Sequence, residues 1–145
     1  MIGYVLLDPK EGWEFLQKKV NDPMQEFVVR YTGLRACSYL LALKPAVIAE
    51  KDLLHTYTSL LDQADMTDLA IDNLRKQQCW KLTERILAYH GKKSHDLPYI
   101  RRSILRYALH CPDPAAVRFI EQQRKINSDE FRNAEEWFKS DPKQR

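Results

Sequence analysis

Glycine is scarce in this sequence, with only Gly3, Gly12, Gly33 and Gly91 among 145 residues. So few glycines leave little material for a phosphate-binding loop, and the motifs HExxH, CxxC and GxSxG are also missing. Extended alternation of apolar and polar residues, the mark of a half-buried strand, is nearly absent as well. We therefore expect an all-helical chain with no cofactor, no catalytic constellation and a non-enzymatic role.

Cysteine is equally sparse, with Cys37, Cys79 and Cys111 far apart in the chain. An odd and scattered set argues against a disulfide framework. Each cysteine stands beside apolar residues, so we predict buried free thiols that behave as small hydrophobic side chains. Reduced cysteines favour a cytoplasmic location, which the sequence otherwise leaves open.

Long apolar runs are missing too, and stretches such as Tyr39–Leu43 fall far below the roughly 20 residues that a bilayer requires. The opening Met1–Leu7 is apolar, but it has neither the basic start nor the small-residue cleavage site of a secretory signal. We therefore predict no membrane span.

Helical spacing of apolar residues is present throughout, and proline punctuates it. Asp8-Pro9, Asp22-Pro23 and Asp113-Pro114 each offer an N-cap carboxylate followed by proline at the first helical position. These signals predict about eight helices, near 9–20, 23–43, 46–62, 66–76, 79–90, 97–110, 114–125 and 128–139. Gly91 is predicted to end the fifth in the left-handed conformation, and residues 140–145 to form a flexible tail.

The fifth and sixth predicted helices differ in their apolar faces. The fifth has one apolar arc that includes Cys79 and Trp80, with Lys81 and Arg85 on its polar side. The sixth has two apolar sides, one of them centred on Ile104. A helix with two apolar sides is expected to be an inner helix with neighbours on both.

A possible internal repeat connects two distant segments. The sequence Val28-Val29-Arg30-Tyr31 is echoed by Ile104-Leu105-Arg106-Tyr107, 76 positions later. Half of that spacing is 38, and Met66 opens another predicted helix at that distance from Val28. Two helices per unit at a period near 38 fall close to HEAT and armadillo-like repeats.

The chain resembles HEAT-like α-solenoid repeat proteins and, more narrowly, uncharacterised HEAT-like proteins of planctomycete-type bacteria. The segments that carry the resemblance are Leu6–Gly12, Val28–Tyr31, Asp68–Ile71, Leu97–Leu109 and Cys111–Pro114. It implies an α-α superhelix of four hairpins over 1–145, a short right-handed solenoid in a single domain. It also implies that Ile2–Leu7 is the end of a preceding helix and that the chain is part of a longer protein.

Positive charge is concentrated in the middle of the chain. Residues 75–125 hold 12 Lys/Arg against 4 Asp/Glu, a balance of +8, whereas residues 1–74 have a balance of −4, with 7 against 11. Segregation of this kind can mark a surface that meets an anionic partner. Solvated helix faces that happen to be basic produce the same pattern.

A candidate binding surface lies in this basic region. Arg102, Arg106 and His110 follow one another at helical spacing and form a single ridge. The remaining members of the candidate surface are Lys81, Arg85, Lys92 and Lys93. Three interpretations stay open: a solvated face without a partner, a surface for an acidic protein or peptide, and a nucleic-acid surface like that of HEAT-like DNA glycosylases. We favour a non-catalytic scaffold or protein-interaction module, with oligomeric state undetermined.

Other candidate residues are given structural roles. His90 and His95 flank Lys92 and Lys93, whose charge opposes a cation, so no metal site is predicted. Arg101 lies beside the apolar arc of its helix, where we expect it to pair with an acid of the adjacent unit. The aromatic stripe of the last helix, which includes Trp137, is expected to seal the final repeat.

Overall fold

The computed structural model describes residues 1–43, 46 and 48–141, and these contain helices and turns but no strand. The helices are α1 (Ile2–Leu7), α2 (Pro9–Asn21), α3 (Phe27–Leu43), α4 (Glu50–Leu61), α5 (Thr67–Lys76), α6 (Thr83–Ala88), α7 (Pro98–His110), α8 (Pro114–Ile126) and α9 (Asp129–Ser140). A short 3-10 turn spans Lys93–His95. The all-helical prediction is confirmed for this part of the chain. Most of the predicted tail over 140–145 lies outside the described residues.

Helix starts follow the predicted capping chemistry at two of the three Asp-Pro pairs. The Asp8 carboxylate accepts a hydrogen bond from the Glu11 amide at 3.1 Å, and Asp113 accepts from the Ala115 amide at 2.8 Å. Ser128 caps α9 in the same way, because its hydroxyl accepts from the Phe131 amide at 3.1 Å. Each cap satisfies an amide that has no partner within its helix.

The prediction that the second helix begins at Pro23 is wrong, since α3 begins at Phe27. The Asp22 carboxylate accepts from the Met24 amide at 2.9 Å and from the Gln25 side chain at 3.0 Å. This local bonding closes a turn that competes with helix formation. The predicted start at 46 is also too early, because the first turn of α4 closes on the carbonyl of Ala49.

The prediction of a helix over 79–90 is wrong at both ends, because α6 covers only Thr83–Ala88. Gln78 takes the left-handed conformation with φ of 53°, and the Cys79 amide donates back to the Leu74 carbonyl at 2.9 Å. This C-terminal motif of α5 occupies the residues that would have opened a longer α6. Gly91 has the predicted positive φ, 76°, but it lies beyond the end of α6.

The chain divides into two compact units, Met1–Met66 and Thr67–Arg145. In the first, α2 packs against α1, α3 and α4. A Cβ on Gly12 would lie 2.6 Å from the Tyr4 backbone, so only glycine lets α1 and α2 approach so closely. At Gly33 of α3, a Cβ would collide with the buried Val20 side chain of α2, so glycine also allows these two helices to pack closely.

The second unit is arranged in two rows of helices. In one row α7 lies between α5 and α9, and in the other α6 packs on α8. The helix α7 contacts members of both rows, which explains why Ile104, Leu105 and Tyr107 on different sides of it are all buried. The prediction that this helix has neighbours on both sides is confirmed.

Candidate functional site

The helices α7 and α9 lie side by side and run in the same direction. Arg101 pairs with Glu130 near the start of both helices, Arg106 contacts Trp137 further along, and His110 meets Asp141 at their ends. The intervening α8 reverses the chain between them. Side chains of the two helices therefore meet in a row along a shared surface.

A cleft of about 250 Å³ opens along this row. It is lined by Pro98, Arg102, Arg106, Glu130, Asn133 and Ala134. Two residues of the predicted ridge thus face the same cleft. Arg102 is exposed, whereas Arg106, one helical turn further, is half-buried.

Trp137 gathers two guanidinium groups from different helices. The Cζ atom of Arg106 lies 4.2 Å from the indole centroid, and that of Arg75, at the end of α5, lies 5.1 Å from it. The negative face of an indole attracts cations at these distances. The aromatic ring therefore holds two like charges near one another.

Little negative charge compensates these arginines. Asp72 lies 3.5 Å from Arg75, between Oδ1 and Nε, without a hydrogen bond, and the Nε atoms of Arg75 and Arg106 have no hydrogen-bond partner among the described residues. Burial, with Arg102 and Arg75 adding to it, lowers the pKa of the Arg106 guanidinium despite the opposing effect of Asp72. The cluster is cationic and incompletely satisfied.

Arg101 borders the cleft but is fully engaged. Its guanidinium donates to both oxygens of Glu130, at 2.8–3.1 Å, and to Asp96 at 2.5 Å. The hydrogen bond to Arg101 lowers the pKa of the Glu130 carboxyl, so Glu130 is held charged and paired. The expectation that Arg101 pairs with an acid of the next helical unit is confirmed.

His110, the last residue of the predicted ridge, is turned towards the end of α9. Its Nδ1 atom donates to the Arg106 carbonyl at 2.7 Å, since that carbonyl can only accept, and Nε2 lies 3.3 Å from the Asp141 carboxylate. Its ring also meets Phe138 edge-on at 4.9 Å. His110 connects α7 to α9 and does not line the cleft.

The other four predicted surface residues lie away from the cleft. Lys81 is in the turn before α6 and Arg85 is exposed on α6, so the two do not share the polar face of one helix as predicted. The ammonium group of Lys92 lies 5.0 Å from the Tyr89 ring, and Lys93 opens the 3-10 turn. The candidate surface therefore separates into a cleft group and a group around α6.

Sequence reasoning missed Glu130 and Asn133 of the cleft lining, and it missed Trp137 and Arg75, which adjoin the cleft through the contact of Trp137 with Arg106. Trp137 was expected to seal the last repeat, but it faces cations from α5 and α7. The sequence does contain a signal for two of these residues, because Asn133 and Trp137 are four residues apart and lie on the border between the polar and apolar faces of α9. Without knowledge of which helices are neighbours, that border cannot be matched to Arg75.

The first unit contains a contrasting arginine in a cavity of about 480 Å³ lined in part by Asn21, Ser59 and Asp62. Arg30, with a side chain 6% exposed, donates to Asp65 at 2.6 Å and 3.0 Å, to Gln63 at 2.7 Å and to the Gln25 carbonyl at 3.1 Å. These bonds occupy Arg30, so the cavity offers no available cation from it.

The cysteines carry no reactive signature. Cys37 is buried and burial raises the pKa of its thiol to about 12, while Cys111 is buried near the Thr83 hydroxyl at 3.3 Å. No disulfide joins the three cysteines, and the prediction of burial is wrong only for Cys79, which is partly exposed. Within residues 1–43, 46 and 48–141, no cluster of metal-ligating side chains and no helix able to cross a membrane is found.

Comparison of the chain with protein-family models, with curated protein sequences and with solved structures finds no match.

Proposed function

We propose that this chain is a HEAT-like α-solenoid that acts as a non-catalytic interaction module and binds an acidic peptide segment of a partner protein. The two helix rows of Thr67–Arg145 support the solenoid assignment, since stacked hairpins place alternate helices in opposite rows. In such stacks one row presents the binding surface. The row of α5, α7 and α9 carries the cationic cleft.

The observation that carries the proposal is the pair of arginines in that cleft beside Trp137. Arginine and tryptophan are the residues most enriched among those that dominate the energy of protein interfaces. Arg102 is accessible, and Arg106 is held in place on the indole ring at 4.2 Å. A carboxylate brought between them would gain two charge-assisted hydrogen-bonding groups.

An acidic peptide fits this surface better than a nucleic acid does. Acidic side chains interrupt the basic surface, since Asp72 lies next to Arg75 and Asp141 next to His110. These carboxylates would repel the continuous phosphates of a duplex, whereas a peptide can space its acidic side chains between them. The cations of the cleft are also too few for the long basic surface typical of duplex binding.

The test is calorimetric titration of the full chain with a peptide of alternating glutamate and glycine, at low salt. We expect measurable binding that weakens about tenfold or more in Arg102→Glu, because the reversed charge faces the ligand. Arg118→Glu is the matched control, since Arg118 is an exposed arginine on α8, outside the cleft. Equal loss in both variants would reduce the binding to net charge and contradict the proposed site.

A second arm of the same experiment replaces the peptide with a short DNA duplex. Salt-sensitive binding to the duplex that is stronger than peptide binding and is lost in Arg102→Glu would replace the peptide proposal with the nucleic-acid alternative. We expect no retardation of the duplex in a gel at low salt.

A further inference from the structure

We propose that the cleft between α7 and α9 is a phosphate-monoester site, which takes the phosphoserine side chain of the partner peptide through Arg102 and Arg106. This inference rests on the proposed function, because it specifies which acidic group the peptide presents.

The charge of the cleft matches a dianion better than a carboxylate. Two guanidinium groups, those of Arg102 and Arg106, line the cleft, and its one lining carboxylate, Glu130, is paired with Arg101. A phosphoserine carries about −1.5 to −2 charges at pH 7, whereas a glutamate carries one. A phosphate ester therefore offsets the charge of the two guanidinium groups more fully than a single carboxylate does.

Arginine is also the cation whose shape suits this ligand. Its planar group presents donors in a fork that matches two oxygens of a phosphate at once. The contact of Arg106 Cζ with the Trp137 ring, 4.2 Å from its centroid, restrains the guanidinium group before any ligand arrives, so less conformational entropy is lost on binding. Asn133, on the α9 side, adds a neutral amide as a further donor.

The size of the cleft argues for one side chain and against a larger ligand. Its volume of about 250 Å³ is below the range of roughly 300–1,000 Å³ typical of small-molecule pockets. Glu130, the carboxylate of the lining, accepts three hydrogen bonds from Arg101, which offsets its repulsion of an anion. A phosphoryl group on a flexible serine therefore fits the space between the two helices.

The experiment titrates the full chain with three otherwise identical peptides that carry phosphoserine, serine or glutamate at their centre, and with inorganic phosphate alone. We expect the phosphoserine peptide to bind at least about tenfold more tightly than the glutamate peptide, and inorganic phosphate to compete with it. The Nε–H resonances of Arg75 and Arg106 should shift with the phosphoserine peptide more than with the serine peptide.

Variants localise the effect. Arg102→Lys keeps the positive charge but removes the forked pair of guanidinium donors, so we expect the preference for phosphoserine over glutamate to fall several-fold. We expect the same for Arg106→Lys. Arg118→Lys, the control, should leave this preference unchanged. Arg102 is exposed, so its variant is expected to fold as the parent does.

The outcomes separate this inference from the proposed function. Equal affinity for the phosphoserine and glutamate peptides, or a preference that both lysine variants retain, overturns the phosphate site and leaves the peptide module standing. Direct binding of inorganic phosphate, weakened in Arg102→Lys, without binding of any peptide supports the phosphate site and overturns the peptide module. Absence of binding by every probe overturns both.

Discussion

Arg30 and Arg106 stand at the same position of two similar tetrapeptides, yet the two units of the molecule use them differently. In Met1–Met66, Arg30 is buried and every one of its nitrogens donates a hydrogen bond within the unit. In Thr67–Arg145, Arg106 rests on Trp137, and its Nε has no partner among the described residues. The first arginine is bonded within its own unit, and the second lines the cleft with one donor unsatisfied.

The neighbours of the two motifs show why the outcomes diverge. Tyr107, which follows Arg106, is fully buried, whereas Tyr31, which follows Arg30, is 39% exposed. The Tyr107 hydroxyl meets Thr83 of α6, and Arg106, one residue earlier and about 100° away around α7, meets Trp137 of α9. A local sequence echo therefore does not fix the environment of an arginine, because the packing of the adjacent helices decides it.

The largest expected effect comes from replacing each arginine with methionine. Arg30→Met removes a buried guanidinium and leaves Gln63 and Asp65 without their donor, so we expect a loss of about 2–4 kcal/mol in the free energy of unfolding. Arg106→Met replaces a half-buried cation with unmet hydrogen bonding by an apolar chain of similar length. Its expected change is within about 1 kcal/mol and can be stabilising.

Urea denaturation followed by circular dichroism measures both variants, and hydrogen exchange in α3 and α7 assigns the change to a unit. Similar losses in the two variants would contradict the distinction, because they would mean that Arg106 also holds its own fold together. Loss of peptide binding in Arg106→Met but not in Arg30→Met would strengthen it.

The next effect concerns the pH dependence of the first unit. The hydrogen bonds from Arg30 lower the pKa of the Asp65 carboxyl. A carboxyl whose pKa is lower in the folded state contributes stability above its unfolded pKa of about 3.9, and this contribution is lost as the pH falls through the folded value. We expect the protection of α3 amides against hydrogen exchange to decrease below about pH 4. In Asp65→Asn this decrease with falling pH should be less steep.

Asp22 provides a check on that dependence, because the Gln25 side chain and the Met24 amide lower the pKa of its carboxyl too. In Asp22→Asn, the loss of stability at low pH that comes from the Arg30–Asp65 pair should remain. An identical flattening of the pH profile in both variants would mean that Asp65 has no special role.

A smaller effect is expected at the aromatic platform of the second unit. Trp137→Ala removes the ring that holds Arg75 and Arg106, and each cation–π contact contributes on the order of 0.5–1 kcal/mol. We expect a loss of about 1–2 kcal/mol in unfolding free energy and weaker peptide binding. Phe138→Ala is the control, since Phe138 contacts His110 and no described arginine; the same loss of binding there would rule out a specific platform.

The sequence was sufficient to predict the bounds of those helices that have capping residues at their ends. Asp113-Pro114 and Ser128 define α8 and α9 to within a residue, because the capping groups lie in the same few positions as the helix start. It failed where turns are closed by their own side chains, at Asp22, or by the end of a preceding helix, at Gln78. Helical periodicity continues through such residues, so the pattern alone cannot detect them.

The candidate site was only half predictable for a related reason. Spacing along one helix placed Arg102 and Arg106 in a ridge, which needs no knowledge of tertiary structure. The contributions of Arg75 and Trp137 come from two other helices, and Arg75 and Asp72 carry unsatisfied polar atoms that only the packed structure reveals. Lys81 and Arg85 share a polar face only if one helix spans 79–90, and that face does not form because α6 begins at Thr83.

The smallest expected change in stability is at Arg101. Its substitution distinguishes an effect on the stability of the fold from an effect on ligand binding in the cleft. The side chains of the ion pair between Arg101 and Glu130 are 24% and 44% exposed, and pairs that water reaches contribute about 0–1 kcal/mol, so Arg101→Ala should lower the urea midpoint only slightly. It does release the Glu130 carboxylate into the cleft, where a free negative charge opposes an anionic ligand. We therefore expect peptide affinity to fall several-fold although Arg101 does not line the cleft. Arg124→Ala, which breaks a comparable pair with Glu135, should leave affinity unchanged. Unaltered binding in Arg101→Ala would show that Glu130 is not part of the binding surface.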